Sequence, residues 1–178
     1  NQGSQFLPEE SMEFVNKIEE ILNTAENKGK YEINFSSSDD KLIDENTMEK
    51  LNNGIKIANT EFISGDILRL MQKSEDCILL AITLGAEIDR QIILSQKNNM
   101  LDGIALDACA SVLVDEICND MTRKKILPEL NQDQYLTSRF SPGYGDWDLT
   151  AQEKLFKISG AEQIGINLSS ALMLEPRK

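Results

Sequence analysis

Histidine is absent from the sequence. Without imidazole the chain can build neither a Ser-His-Asp triad nor a histidine-containing zinc site. Its three cysteines, Cys77, Cys109 and Cys118, form no Cys-x-x-Cys pair, and we expect them to be buried thiols. The chain therefore lacks the commonest acid–base residue and any recognisable redox motif. We expect it to contribute binding, and not proton transfer, to whatever chemistry it serves.

Basic residues are few compared with acidic ones. The chain has 18 Lys and Arg against 30 Asp and Glu, which gives a net charge of −12 at pH 7. Binding to a nucleic-acid backbone requires clustered cations that release counterions, so we expect neither nucleic acid nor an anionic membrane as a partner. The longest apolar run, at residues 77–82, is far shorter than the ~20 residues that cross a bilayer. No charged-then-apolar leader opens the sequence, and we expect a cytoplasmic protein.

The hydrophobic patterns predict an α+β fold. At 178 residues the chain has the length of a single domain. Helical patterns dominate, and the strand-like segments are scattered, which favours several helices packed on a small, mostly antiparallel sheet over a doubly wound sheet. The predicted helices cover residues 8–29, 65–72, 86–97, 101–126 and 149–158, the predicted strands cover 31–35, 62–63, 77–82 and 164–174, and residues 41–53 are a weak helix or a connector.

Three of the predicted helices carry specific expectations. We expect Ser64 to cap the helix at residues 65–72, with Asp66 as an acid in its first turn. In the helix at residues 86–97, we expect Ile88, Ile92 and Ile93 to face the interior. The long helix contains small residues that would let another element approach its backbone closely: Ala105, Ala108, Cys109, Ala110 and Ser111.

The segment with the clearest chemical character is residues 139–147, Arg-Phe-Ser-Pro-Gly-Tyr-Gly-Asp-Trp, which we call the elbow. Pro142 and Gly143 fit the second and third positions of a type II turn, the third requiring a positive φ. Ser141 precedes a proline and is therefore biased toward extended backbone. The elbow would present the Arg139 guanidinium, which grips carboxylates bidentately, beside the Tyr144 ring, which attracts cations or stacks on a base. The alternative interpretation is a surface turn that happens to hold an arginine.

The elbow also resembles a known motif. Its Arg-x-x-x-Gly-Tyr pattern, extended here to Arg-Phe-Ser-Pro-Gly-Tyr-Gly-Asp, is similar to the S-adenosylmethionine-binding motif of the activation domain of cobalamin-dependent methionine synthase. The similarity is greatest to small stand-alone versions of that domain. Further similar stretches lie at residues 80–90, 106–111, 164–168 and 173–178. The resemblance covers about residues 61–178, whereas residues 1–60 form a helical and strand region without it, expected within the same compact domain.

The resemblance implies an activation-domain-like fold and a specific role. In that family, S-adenosylmethionine methylates a cobalamin that has been oxidised by one electron and re-reduced, which restores methionine synthase. The partners implied are a methionine synthase chain that holds the cobalamin and a separate electron donor. This chain would be an accessory part of that system, and it has no imidazole to ligate cobalt.

The resemblance also assigns residues to the S-adenosylmethionine site. Arg139 would take the methionine carboxylate, Gly143 would permit close backbone approach, and Tyr144 would line the pocket, with Ser141 in the same motif. The family also has a helix acid near the ligand, which matches Asp115 or Glu116 here. These two are adjacent and so about 100° apart on a helix, which means that they point in different directions.

Two other functions remain open from the sequence. In the first, the chain is a non-catalytic interaction subunit of a corrinoid methyltransferase system that no longer binds ligand, and the elbow is kept for folding. In the second, the chain is a free-standing methyltransferase that acts on a small molecule.

Overall fold

The computed structural model describes the backbone of residues 30–35 and the whole of residues 48–178. In these residues the helices are α1 (Gly65–Leu70), α2 (Ala86–Asn98), α3 (Met100–Met121) and α4 (Ala151–Ser159). The strands are β1 (Lys30–Phe35), β2 (Met48–Lys50), β3 (Gly54–Ile57), β4 (Thr60–Ile63), β5 (Ile78–Thr83), β6 (Asn167–Leu168) and β7 (Leu174–Glu175). Strands β2, β3 and β4 form an antiparallel sheet, β6 pairs antiparallel with β7, and β1 pairs with β5. The predicted α+β class with antiparallel strands is confirmed.

The described residues form two compact units. The helical unit contains Thr83–Lys124 and Pro176–Lys178, and the sheet unit contains Lys125–Glu175 together with the described part of Tyr31–Ile82. The elbow lies entirely in the sheet unit. The predicted helix at residues 8–29 and the predicted loop at 36–40 lie outside the described residues.

The core of the sheet unit forms between the three-stranded sheet and α1. Ile55 pairs with Phe62 across β3 and β4, and both side chains are almost completely buried. Ser64 caps α1 by accepting a hydrogen bond from the Ile67 amide at 3.0 Å, as the sequence predicts. This cap turns the chain from β4 directly into α1, so that Ile67 joins the same core.

The hairpin of β2 and β3 is absent from the sequence-based prediction. Residues 41–53 are predicted as a weak helix or connector, but Met48–Lys50 form a strand, and residues 41–47 lie outside the described residues. The strand β2 is only three residues long, too short for alternation to distinguish it from a loop. Pairing with β3 satisfies the backbone hydrogen bonds of β2, and this pairing cannot be predicted from the sequence of β2 alone.

The helical unit is built on the contact between α2 and α3. Asn99 ends α2 and caps α3, because its side chain accepts a hydrogen bond from the Leu101 amide at 3.1 Å. Ile88 and Ile92 then pack against α3, at Leu106 and Ala110. The prediction that Ile93 also faces inward is wrong, since its side chain is 52% exposed. Ile93 follows Ile92 by about 100° of helix rotation, which takes it off the stripe that meets α3.

The two helices approach each other closely at Gly103. A Cβ at this position would lie 2.6 Å from the backbone nitrogen and 2.7 Å from the Cα of Gln96. The sequence predicts a close approach to α3 through small residues farther along the helix, among which Ala110 is fully buried. Gly103 lies two residues before the first member of that predicted cluster.

The last predicted strand, at residues 164–174, is wrong as a single strand. The chain reverses between β6 and β7, where the Ser169 amide donates to the Met173 carbonyl at 2.9 Å and the Leu172 amide donates to the Ser169 carbonyl at 3.0 Å. Apolar residues alternate with other residues both before and after Ser169 and Ser170. Because this alternation continues across the short turn, the sequence pattern predicts one strand. The result is a hairpin and not a long strand.

The remaining elements agree more closely with the sequence. Every side chain of β5 is buried or half-buried, as expected for its apolar run. Helix α3 ends at Met121, and a π-helical turn, Thr122–Ile126, follows it. Helix α4 begins two residues later than predicted. Among the described residues, no helix combines the length and the apolar character that a bilayer span requires.

We expect Gly103→Ala to destabilise the protein, although alanine is the better helix former by about 1 kcal/mol. The added methyl group would meet the backbone of Gln96, and overpacking of this kind costs about 1–3 kcal/mol. Urea unfolding followed by circular dichroism should show a lower midpoint with an unchanged slope. The matched control is Ala108→Ser, which also adds one heavy atom to α3 but at an exposed position. A midpoint equal to or above that of the wild type would contradict the close contact.

Candidate functional site

The backbone of the elbow forms two consecutive turns. In the first, the Tyr144 amide donates to the Ser141 carbonyl at 3.3 Å, and Gly143 has a φ of +91°. This agrees with the predicted turn, in which the third residue takes a positive φ. In the second, the Trp147 amide donates to the Tyr144 carbonyl at 3.0 Å. The Gly143 amide closes the loop by donating to the Trp147 carbonyl at 2.7 Å.

Aromatic packing anchors the two ends of the elbow in the sheet unit. Trp147 is 4% exposed, and its ring stacks on Phe140 with centroids 5.8 Å apart and planes 8° apart. Phe62 meets the same ring edge-on, with centroids 5.6 Å apart. Among residues 48–178, one buried side-chain nitrogen or oxygen lacks a hydrogen-bond partner, and it is the indole Nε1 of Trp147. Packing, and not a hydrogen bond from the indole, therefore holds this ring.

Asp146 ties the elbow to the first turn of α1. Its carboxylate accepts hydrogen bonds from the Ser64 hydroxyl, from the Gly65 amide at 2.8 Å and from the Asp66 amide at 3.1 Å. In return, the Asp66 carboxylate accepts a hydrogen bond from the Asp146 amide at 3.1 Å. The bond from Ser64 is the main reason that the pKa of Asp146 lies below its ordinary value, and the amides of Asp66 and Gly65 add to it.

Gly145 makes this reciprocal arrangement possible. Its φ is +56°, and a Cβ there would lie 2.2 Å from the Asp66 carboxylate oxygen that receives the Asp146 amide. Any other residue would displace Asp66 from this position. The link between Asp146 and α1 therefore depends on glycine at 145.

The elbow has a buried side and an exposed side. Phe140 is half-buried, and Pro142 and Trp147 are buried. The four candidate residues of the elbow, Arg139, Ser141, Gly143 and Tyr144, are all exposed, and the Tyr144 side chain keeps 67% of its surface. A guanidinium, an uncovered stretch of backbone and an aromatic face thus lie together in a short segment whose buried side is fixed. This combination suits a small ligand that carries a carboxylate and a positive charge.

Asp115 and Glu116 belong to α3 in the helical unit. Both side chains are exposed. Glu116 accepts a hydrogen bond from the Asn119 amide group at 3.2 Å, and one of its carboxylate oxygens lies 3.9 Å from the Arg123 guanidinium. The prediction that one of the two acids faces the elbow stays a prediction.

Sequence reasoning found two of the three side chains that make the link to α1. It assigned Ser64 as the helix cap and Asp66 as a first-turn acid, but it gave Asp146 no role. Asp146 lies 82 residues from Ser64, and nothing in the local sequence around it indicates a distant partner. The only available signal was the combination of an acid with a neighbouring glycine in a tight turn.

The described residues contain no group of three or more Cys, Asp or Glu side chains arranged to hold a metal ion. The cysteine at position 77 is buried, and those at 109 and 118 are half-buried. Comparison with models of known protein families gives no match for this chain, and comparison with curated proteins gives none either.

The Asp146 link should make the stability of the protein depend on pH in acid. Because the folded-state pKa of Asp146 is lowered from 3.8, its contribution is fully present above about pH 4 and is lost as the pH falls through the folded-state value. Melting temperatures of wild type and Asp146→Asn should therefore differ most near pH 6 and converge as the pH falls below the folded-state pKa of Asp146.

The matched control for this titration is Asp133→Asn, which makes the same change of charge in an exposed loop. Its melting temperature should follow that of the wild type throughout. A difference between Asp146→Asn and wild type that stays constant from pH 6 to pH 2.5 would show that the Asp146 charge does not contribute to the link.

Proposed function

We propose that this chain is an S-adenosylmethionine-binding activation subunit that supports reductive methylation of the cobalamin of methionine synthase. The observation that carries the proposal is the division of the elbow: its motif residues are exposed, while Trp147 and Asp146 fix the turn from behind. A preformed turn lowers the entropy that a ligand must overcome to order its site. The proposed location is the cytoplasm.

Each exposed group of the elbow has a counterpart on the ligand. The Arg139 guanidinium matches the methionine carboxylate through two parallel hydrogen bonds. The Tyr144 ring offers its face to the positively charged sulfonium or to the adenine. Gly143 leaves the backbone uncovered beside Ser141, so a ligand can approach the peptide groups directly.

Cobalamin and the electron come from other proteins in this proposal. The methyl group leaves the sulfonium sulfur as S-adenosylhomocysteine forms and is accepted by the re-reduced cobalt of the partner methionine synthase. A separate electron donor supplies the reduction. The role of this chain is to hold the sulfonium compound and present it to the partner, which requires neither histidine nor a redox group of its own.

A second candidate function is a non-catalytic interaction subunit in which the elbow serves only the fold. The observation in its favour is that two residues of the elbow contribute to the fold itself. Trp147 lies in the core of the sheet unit, and the Asp146 carboxylate accepts a hydrogen bond from the first turn of α1. These anchors would be required with or without a ligand. The two candidates differ only in what the exposed residues do.

We expect Arg139→Lys to weaken S-adenosylmethionine binding strongly. Lysine is a flexible point charge and cannot make the parallel pair of bonds that a guanidinium makes to a carboxylate. Hydrogen bonds to charged groups contribute about 1.5–3 kcal/mol, so the loss should be about 10- to 100-fold in affinity. Calorimetry with ligand up to millimolar concentration, alone and with the cobalamin partner, measures it.

Arg123→Lys is the matched control, because it makes the same exchange at an exposed arginine of the π-helical turn that follows α3. Its affinity should equal that of the wild type. Absence of binding to the wild type even with the cobalamin partner would refute the activation role. If Arg139→Ala keeps the affinity but lowers the melting temperature, the elbow is structural and the second candidate is correct.

The chain alone should not retain cobalamin. The sequence has no histidine to ligate cobalt and no resemblance to a corrin-holding domain. Hydroxocobalamin mixed with the protein should separate from it on a desalting column, with the absorbance at visible wavelengths eluting late. Stoichiometric cobalamin in the protein fraction would contradict the division of labour between this chain and its partner.

A further inference from the structure

We infer that Asp146 is a positioning residue, which keeps the exposed side of the elbow in a single conformation by fastening the turn to α1. The inference about the order of the elbow stands on the geometry of the sheet unit. Its consequence for affinity rests on the proposed function, in which this exposed side binds S-adenosylmethionine.

Both the side chain and the backbone of Asp146 are held. One carboxylate oxygen accepts from the Ser64 hydroxyl and the Asp66 amide, and the other accepts from the Gly65 amide at 2.8 Å. The Asp66 carboxylate holds the Asp146 amide at 3.1 Å. Hydrogen bonds that involve a carboxylate are roughly twice as strong as neutral ones, so four of them fix this residue firmly.

Fixing Asp146 also fixes the loop that carries Gly143 and Tyr144. The next residue, Trp147, accepts the Gly143 amide at 2.7 Å and donates to the Tyr144 carbonyl at 3.0 Å. The Trp147 indole adds packing but no hydrogen bond within the described residues. Asp146 is therefore a point at which hydrogen bonds connect the loop to α1.

This arrangement does more than cap a helix. Helix α1 already has a cap, because the Ser64 hydroxyl accepts the Ile67 amide at 3.0 Å. If the Asp146 carboxylate served only to accept hydrogen bonds from the first amides of α1, no bond from the backbone of the elbow to a side chain of α1 would be needed. The bond from the Asp146 amide to Asp66 stabilises the loop and not the helix.

The charged groups around Asp146 favour its ionised form. Asp66 is the neighbouring acid, and Arg69 makes an ion pair with it at 2.9 Å. Arg69 also attracts the Asp146 carboxylate, which helps to lower its pKa. At neutral pH the Asp146 carboxylate is therefore an ionised acceptor.

Amide hydrogen exchange tests the inference without a ligand. In Asp146→Asn, the side chain loses its negative charge. An NH2 group, which can only donate, replaces one of the two oxygens that accept hydrogen bonds from α1 and Ser64. Because charged hydrogen bonds are lost, exchange at the Gly143 and Trp147 amides should accelerate about 10- to 100-fold. Exchange in β3 and β4, which belong to the same unit, should keep the wild-type rates and so exclude general unfolding.

Trp147 provides a second signal because it is the only tryptophan in the sequence. Acrylamide should quench its fluorescence more efficiently in Asp146→Asn than in wild type. The matched control is Asp148→Asn, an exposed acid on the other side of Trp147 whose carboxylate accepts the Thr150 amide at 2.8 Å. Exchange and quenching in this control should match the wild type.

Asp66→Ala provides a second variant in case Asp146→Asn does not fold. It removes the bond to the Asp146 amide, together with the exposed ion pair to Arg69, and leaves the carboxylate of Asp146 in place. The same amides, at Gly143 and Trp147, should exchange faster in this variant. Unchanged exchange in both variants, or equal acceleration in Asp148→Asn, would overturn the inference.

Binding measurements separate this inference from the proposed function. If the wild type binds S-adenosylmethionine, Asp146→Asn should bind it more weakly, by about 2- to 10-fold, since affinity falls with the fraction of elbow in the competent conformation. Equal affinities together with faster exchange would overturn the positioning role. If the wild type does not bind, the proposed function fails, and the exchange rates still decide whether Asp146 orders the elbow.

Discussion

The link between Asp146 and the first turn of α1 is the interaction that ties the elbow to a helix of the sheet unit. It joins two segments that are 80 or more residues apart in the sequence, and it does so through side-chain and backbone groups of both partners. The first amides of a helix have no partner within the helix, so they need acceptors from elsewhere. Here the acceptor comes from the same nine residues that carry the candidate binding groups. Helix formation and the shape of the elbow are thereby coupled.

This coupling explains how a short irregular segment can have a defined shape. Loops without regular hydrogen bonds are ordinarily the more mobile parts of a fold. In the elbow, two glycines with positive φ allow the chain to turn twice, and the carbonyl and amide of Trp147 close the turns. Phe62 and Phe140 then hold the Trp147 ring. Backbone bonds, packing and the carboxylate link each restrain a different part of the segment.

Local signals in the sequence predicted local structure well. Ser64 followed by a first-turn acid gave the start of α1, and the Pro-Gly pair gave the first turn of the elbow. The errors arose where the secondary structure of a segment depended on pairing with another segment or on a reversal of the chain. The strand β2 exists because β3 pairs with it, and the chain reverses at Ser169 although its apolar alternation continues. The burial of Ile93 was predicted wrongly for a related reason, since packing against α3 determines which side of α2 is buried.

The candidate site shows this limit most clearly. The sequence identified the exposed residues of the elbow through their chemistry, because a guanidinium and an aromatic ring indicate their own ligands. It did not identify Asp146 as a support, because the partners of a carboxylate depend on what the fold brings to it. Groups with the chemistry to bind a ligand can therefore be proposed from residue type and spacing. Groups that hold them in place become evident only from the tertiary structure.

The division of the elbow into two sides has an evolutionary consequence. Gly145 faces Asp66, and Trp147 and Asp146 are built into the fold, so substitutions at these positions are costly whether or not a ligand is bound. A descendant that lost its ligand would still be under selection to keep them, and most of the motif would persist. Ser141 and Tyr144, which are exposed, would be under weaker constraint. In a set of related sequences, variation at those two positions would distinguish lineages that abandoned a ligand from lineages that retain one.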